Sequence, residues 1–172
     1  MGLDANEKLL ADYNDVFADI MNGFLFNGKQ IIHESDLENC KDRSQYKFAG
    51  GMHEQERDVS KYFNGNRIHI AFLGIEHQNK PEKEMPLRVI SYDGSIYRSQ
   101  LLQRKKAKQK RKKEPILDEM FFPAVTLVLY FGTTHWKYGK TLYEVLSIPD
   151  NLKPFVSDYR INVVEVAFMA EE

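Results

Sequence analysis

Apolar and polar residues change period several times along the chain, and each change marks an element. Over residues 5–26, "ANEKLLADYNDVFADIMNGFLF", Leu9, Tyr13, Val16, Phe17, Ile20 and Phe24 recur at helical spacing while Asp12, Asp15 and Asp19 gather on the other side. That spacing predicts an amphipathic first helix with an acidic stripe. "NGKQII" supplies a turn and a short apolar piece, and residues 34–53, polar and without a clear period, are expected to be irregular. "RDVSKYF" (57–63) and "RIHIAFLGIEHQN" (67–79) flank "NGN"; Asn-Gly supplies the positive φ angles of a tight turn, so the two segments predict a β-hairpin. The first segment alternates. From Ile68 to Ile75 both faces are mostly apolar, as in a central strand covered on both sides.

Residues 86–103, "PLRVISYDGSIYRSQLLQ", predict a helix that opens on Pro86 and is weakened by Gly94. "FPAVTLVLYFG" (122–132) predicts a second buried strand bounded by Pro123 and Gly132, "TLYEVLSI" (141–148) a short helix closed by Pro149, and "INVVEVAFM" (161–169) a last strand. The order helix, hairpin, helix, strand, helix, strand reads as an α/β fold with helices on a mixed central sheet. A length of 172 residues suits one domain, 1–172, with one core.

Composition narrows the setting. The hydrophobic and charged fractions, 42% and 28%, are those of an ordinary globular protein, and no apolar run approaches the roughly 18–20 residues of a membrane span. Asp4, Glu7 and Asp12 interrupt the N-terminus before any signal-peptide core could form, so a cytoplasmic location is expected. Cys40 is the only cysteine, which excludes an internal disulfide and a cysteine-rich zinc site.

The net charge of −1 conceals an asymmetry. The run "RKKAKQKRKK" holds eight of the chain's 24 basic residues, leaving 16 against 25 acidic residues elsewhere. These eight are Arg104, Lys105, Lys106, Lys108, Lys110, Arg111, Lys112 and Lys113. Such a block repels itself and is expected as a flexible, solvated segment at about 104–114. The functional reading is an arm that follows a phosphate backbone, because each neutralised phosphate releases condensed counterions.

The candidate chemistry lies where the central strand turns polar. Residues two apart on a strand share a face, so Glu76 and Gln78 project together and His77 points away. Asp58 opens the antiparallel partner toward the same end of the sheet. Two carboxylates close together require a cation or a shared proton, and hard oxygen donors open to solvent suit Mg²⁺ or Mn²⁺. Such an ion can acidify a bound water and polarise a phosphoryl oxygen, the two tasks of phosphodiester hydrolysis. On spacing alone the competing reading is a polar strand end at the sheet's edge.

"DVSKYF" followed by "IEHQ", with "YNDVFADI" upstream and "PAVTLVLYFGTTHW" and "TLYEVL" downstream, resembles the recombination-promoting nuclease (Rpn) family of transposases, within the PD-(D/E)XK nuclease superfamily. The similarity runs roughly from Asn14 to Val166. It implies a helix-strand-strand-strand-helix-strand nuclease core and metal-dependent DNA cleavage linked to recombination. Asp58 then matches the strand-two aspartate and Glu76 the second metal ligand, with the His77 backbone carbonyl completing the shell. Gln78 stands where the superfamily at large has lysine, in agreement with this family's own Glu-x-Gln. Asp15 matches an acidic residue on the first helix; its other reading is a solvated face with Asp12 and Asp19. The resemblance also implies a charged helical region beyond the last strand, whereas this chain stops at Glu172.

The His77 imidazole is expected within the core, and His135 with Trp136 at a structural corner where the buried indole needs one partner for its N–H. His33, His53 and His69 form no metal-ligand spacing. Three function classes follow: a metal-dependent DNA endonuclease, a DNA-binding relative that cleaves weakly or not at all, and an interaction module using the basic segment. Cutting both strands would need two subunits, so a homodimer is expected under the first.

Overall fold

The computed structural model describes residues 12–39, 45–48, 51–54, 59–63, 68–75, 83–110 and 121–168. Helix α1 (Asn14–Phe26) begins after Tyr13 and ends where Asn27 and Gly28 take positive φ, 51° and 79°. That left-handed step is how many helices close, and it returns the Gly28 N–H to the Asn22 carbonyl at 2.9 Å. The buried Asn22 side chain then holds the following segment: it donates to the Ile32 carbonyl (2.8 Å) and accepts from the Ile32 N–H (2.8 Å).

The segment expected to be irregular carries a 3₁₀ turn (Glu34–Asp36) and strands β1 (Leu37–Asn39), β2 (Gln45–Phe48) and β3 (Gly51–Glu54). Strands of three and four residues are too short to display a period, which is why the sequence pattern misses them. β2 and β3 pair as a separate antiparallel ribbon.

The predicted hairpin is present as β4 (Val59–Phe63) and β5 (Ile68–Ile75), antiparallel with Phe63 opposite Ile68. Helix α2 (Met85–Lys110) follows, then β6 (Ala124–Tyr130), the short helix α3 (Leu142–Val145) and β7 (Asn162–Glu165). The main sheet has the order β1-β4-β5-β6-β7, so β5 is its middle strand, as its apolar run predicts. β6 and β7 run parallel to β5 and β1 and β4 are antiparallel neighbours; the chain is mixed α/β with a small parallel sheet.

Each sheet face has its own core. Phe17, Ala18 and Met21 of α1 pack with Ile32, Leu37, Phe63, Leu127 and Leu129. Met85, Val89 and Tyr92 of α2 pack with Val128, Tyr130, Trp136 and Ile161. Leu127 and Leu129 alternate with Val128 and Tyr130 along β6, so the two helices cover opposite faces.

Helix α3 is shorter than predicted, but its start is as the sequence "TLYE" implies. Thr141 and Glu144 form a capping box, with Glu144 Oε2 accepting from the Thr141 N–H at 2.9 Å. The basic run, expected to be a flexible segment at about 104–114, continues α2 as helix through Lys110. Lys, Arg, Gln and Ala are good helix formers, and the helix dipole favours cations in the last turns.

Candidate functional site

The C-terminal ends of the three parallel strands form one row, with Ile75 opposite Tyr130 and Tyr130 opposite Glu165. Crevices at this end of parallel strands are where open α/β sheets bind ligands. Ile75 immediately precedes Glu76. Val59, which follows Asp58, lies opposite Phe72, three residues from Ile75, so the chain neighbours of the two carboxylates lie toward the same end of the β4–β5 pair. Asp58, Glu76, His77 and Gln78 themselves lie outside the described residues.

Beside this row, the Glu165 carboxylate organises the loop after β6. Its Oε2 accepts from the Trp136 backbone N–H at 3.0 Å and pairs with His135 Nδ1 at 2.9 Å, and Lys140 Nζ stands 3.8 Å from Oε1. The Trp136 N–H, then the His135 contact, hold the Glu165 carboxyl below the usual carboxylate range. The exposed His135 ring stacks on Phe168 with centroids 3.9 Å apart. Trp136 is buried edge-on to Tyr130 and Tyr138, at 5.3 and 5.4 Å. The corner expected at His135–Trp136 is therefore present, but its predicted hydrogen bond is not: the indole N–H has no partner among the described residues. Gly132 fits the same turn because a Cβ there would lie 2.1 Å from the Tyr130 ring.

Asp15 sits in the first turn of α1, where the dipole favours an acid. Asp12, Asp15 and Asp19 are all exposed. Among the described residues no group of three or more His, Cys, Asp or Glu side chains could hold a metal ion.

The basic run stands at the other end of the sheet. Along α2, Asp93 bonds Thr126, the Tyr97 hydroxyl accepts from the Ala124 N–H at 3.0 Å, Gln100 bonds both backbone groups of Phe122, and the Arg104 guanidinium lies 5.0 Å from the Phe121 ring. Residue numbers rise on the helix as they fall on the strand, so α2 runs antiparallel to β6. Arg104, Lys105, Lys106, Lys108 and Lys110 thus lie beyond the start of β6, about 20 Å or more from the Ile75–Tyr130–Glu165 row at ~3.3 Å per strand residue. Arg111, Lys112 and Lys113 lie outside the described residues.

Over residues 60–172 the chain matches the family model described as "Putative transposase, YhgA-like". The chain belongs to this family. The YhgA-like transposases are part of the Rpn/PD-(D/E)XK-like transposase group. Neither the curated proteins nor the solved structures contain a match to the chain. The family span takes in β5, Glu76, Gln78, all of α2 and Glu165, and starts after Asp15 and Asp58.

Three polar residues of this YhgA-like chain escaped the sequence reading. Asp93 is buried in α2 and accepts from Thr126 Oγ1 at 2.6 Å and from the Tyr159 hydroxyl. Lys61 is fully buried on β4, where its ammonium donates to the Asp12 carbonyl (2.6 Å), Asn14 Oδ1 (2.7 Å) and Asn39 Oδ1 (2.6 Å). Glu165 is the third. The available signal was a charged residue at an apolar phase of its element: Asp93 lies among Val89, Tyr92 and Ile96, and Glu165 within "NVVEV". Among the described residues no helix is long and apolar enough to cross a membrane.

Proposed function

We propose that this YhgA-like protein is a metal-dependent DNA endonuclease of the recombination-promoting type, built on a PD-(D/E)XK core. The observation that carries the reading is the β4–β5 pair, whose register directs the neighbours of Asp58 and Glu76 toward one end of the sheet, within a family of transposases. Asp58, Glu76 and the His77 carbonyl are oxygen donors of the kind Mg²⁺ or Mn²⁺ accepts, and these residues would hold the ion, with Asp15 as a further candidate. The ion supplies Lewis-acid polarisation of a phosphoryl oxygen and an acidified water.

Gln78 orients a water or a phosphate oxygen through its amide, which donates hydrogen bonds but carries no charge. A lysine there would add electrostatic stabilisation of the developing negative charge. Lys61 does not replace it. It faces Ile70 in register, five residues from Ile75 and therefore about 17 Å along the strand, and its three hydrogen bonds are all spent on α1's entry and β1. A slow enzyme is the consequence. Gln78→Lys is expected to raise the cleavage rate.

The competing reading, a relative that binds DNA without cutting it, draws on that same glutamine. Plasmid nicking with Mg²⁺, Mn²⁺ and EDTA separates the two, run beside Asp58→Ala and Glu76→Ala. Metal-dependent nicking that both alanine variants abolish, with DNA binding kept, is the expected result. Cleavage surviving in Glu76→Ala would refute the site, and salt-sensitive binding without cleavage in any metal would favour the second reading.

A further inference from the structure

Glu165 and His135 form an oriented pair that the folding of their corner does not account for. Closing the loop over Trp136 uses the bond from the Trp136 N–H to Glu165 Oε2 (3.0 Å), whereas the His135 side chain is 76% exposed and adds little to any core. Its ring is nonetheless fixed twice. Nδ1 meets Glu165 Oε2 at 2.9 Å, and one face lies on Phe168 of the 3₁₀ turn Val166–Phe168, with centroids 3.9 Å apart. The Trp136 N–H, then His135, and Lys140 Nζ at 3.8 Å from Oε1 hold the Glu165 carboxyl below the usual range, so it is ionised near neutral pH. An ionised carboxylate only accepts hydrogen bonds. Nδ1 therefore carries a proton toward Glu165, and Nε2, on the far side of the ring, is the nitrogen left for proton transfer. A carboxylate placed in this way prepares an imidazole as an acid or base.

Among the described residues, the charged groups beside the ring are Glu165 on β7 and Lys140 on its own loop; Lys137 instead turns toward the Tyr138 ring, 5.9 Å from its centroid. The pair stands at the strand-end row. In register Glu165 is two strands from Ile75, about 10 Å at ~4.8 Å per strand, and Glu76 is the next residue. An ion with ~2.1 Å ligand bonds, the phosphoryl group it holds and one hydrogen bond of ~2.8 Å fit within such a gap. A duplex cannot enter a narrow pocket, so a residue that touches it must stand out from the surface, as His135 does.

Resting on the endonuclease reading above, we infer that His135 is the general acid of the cleavage, with Glu165 as its positioning residue. The oxygen of the attacking water bonds to phosphorus, the bond from phosphorus to the leaving sugar oxygen breaks, and that oxygen takes the Nε2 proton of the His135 imidazolium. The attacking water loses a proton to solvent, and solvent reprotonates the imidazole. Gln78 has no charge with which to stabilise the leaving oxygen, and a proton delivered there answers that lack. A positioned acid of this kind contributes about 10²–10⁴-fold.

The test is plasmid nicking in Mg²⁺ by the full chain and by His135→Ala and Glu165→Gln, with duplex binding measured separately in EDTA. His135→Ala is expected to nick about 10²-fold or more slowly while binding DNA as the parent does, and added imidazole, which can occupy the space of the lost ring, is expected to restore part of the rate. The parent's rate declines on the alkaline side as the imidazolium is lost, and that decline is absent from His135→Ala. Glu165→Gln, which removes the ionised acceptor, lies between the two. In nitrogen NMR of the metal-free protein above neutral pH, the imidazole signals that His135→Ala removes are expected to be those of a ring protonated at Nδ1. Nicking by His135→Ala at the parent rate overturns the assignment, as does a loss matched by lost DNA binding, a loss that imidazole does not relieve, or a ring protonated at Nε2. A parent that nicks in neither Mg²⁺ nor Mn²⁺ defeats the endonuclease reading and this step with it, while an active parent beside an equally active His135→Ala defeats the general acid alone.

Discussion

Asp93→Ala is expected to destabilise the fold through the two hydroxyls it abandons. Thr126 is 3% exposed and donates to Asp93 at 2.6 Å; stranded without an acceptor, a buried hydroxyl costs about 1–3 kcal/mol. The Tyr159 hydroxyl is partly accessible and can recover water, so its share is about 1 kcal/mol. Together they make about 2–4 kcal/mol, or a fall of roughly 5–15 °C in Tm for a chain of this size. The assay is guanidinium unfolding followed by Trp136, the only tryptophan, which packs in the same cluster as Val89 and Tyr92. Thr126→Val closes a double-mutant cycle in which Asp93 and Thr126 are expected to couple by about 1–2 kcal/mol. A stability for Asp93→Ala within ~0.5 kcal/mol of the parent, or strict additivity in the cycle, refutes the reasoning.

Two further stability predictions have signs set by titration. Burial lowers the Lys61 amine below its ordinary 10.5, so the unfolded state holds its proton to higher pH and stability should rise as pH climbs from the lowered value toward 10.5. Lys61→Met should flatten that rise relative to the parent in urea midpoints, and at neutral pH should cost about 1–3 kcal/mol for the oxygens left without a donor; an unchanged alkaline profile counts against it. The Glu165 carboxyl is held below its ordinary 4.5, so its contribution is full above that value and disappears as pH falls through the lowered one. Glu165→Gln should blunt this acid-side loss and shift Trp136 emission, at a cost of about 0.5–1 kcal/mol for so accessible a group; identical acid titrations in the two proteins would contradict the pairing.

What the sequence made legible follows from the range of the interactions involved. Asn-Gly and the apolar run after it are local signals, and they correctly announced the β4–β5 hairpin and the middle strand. The start signal at Pro86 is equally local, and it announced α2 within a residue of where the helix begins. Its end was missed because charge density was taken as a sign of flexibility, although every residue of "RKKAKQK" favours helix and the dipole favours cations at that end. Asp93, Lys61 and Glu165 were invisible because their partners are distant in sequence: Thr126 is 33 residues from Asp93, and Asn14 is 47 from Lys61. A lone charge in an apolar pattern announces a partner without naming it. The candidate carboxylates, Asp58 and Glu76, were legible only by spacing and family resemblance.

The long-range geometry also changes how the two halves of the DNA reading relate. In the sequence, Glu76 and Arg104 are separated by 28 residues, close enough to suggest a single site with a basic arm beside it. Helix α2 runs back along β6, and its own length carries Arg104–Lys110 past the start of that strand, about 20 Å or more from the Ile75–Tyr130–Glu165 row. A phosphate at the strand-end row is therefore out of reach of Arg104–Lys110.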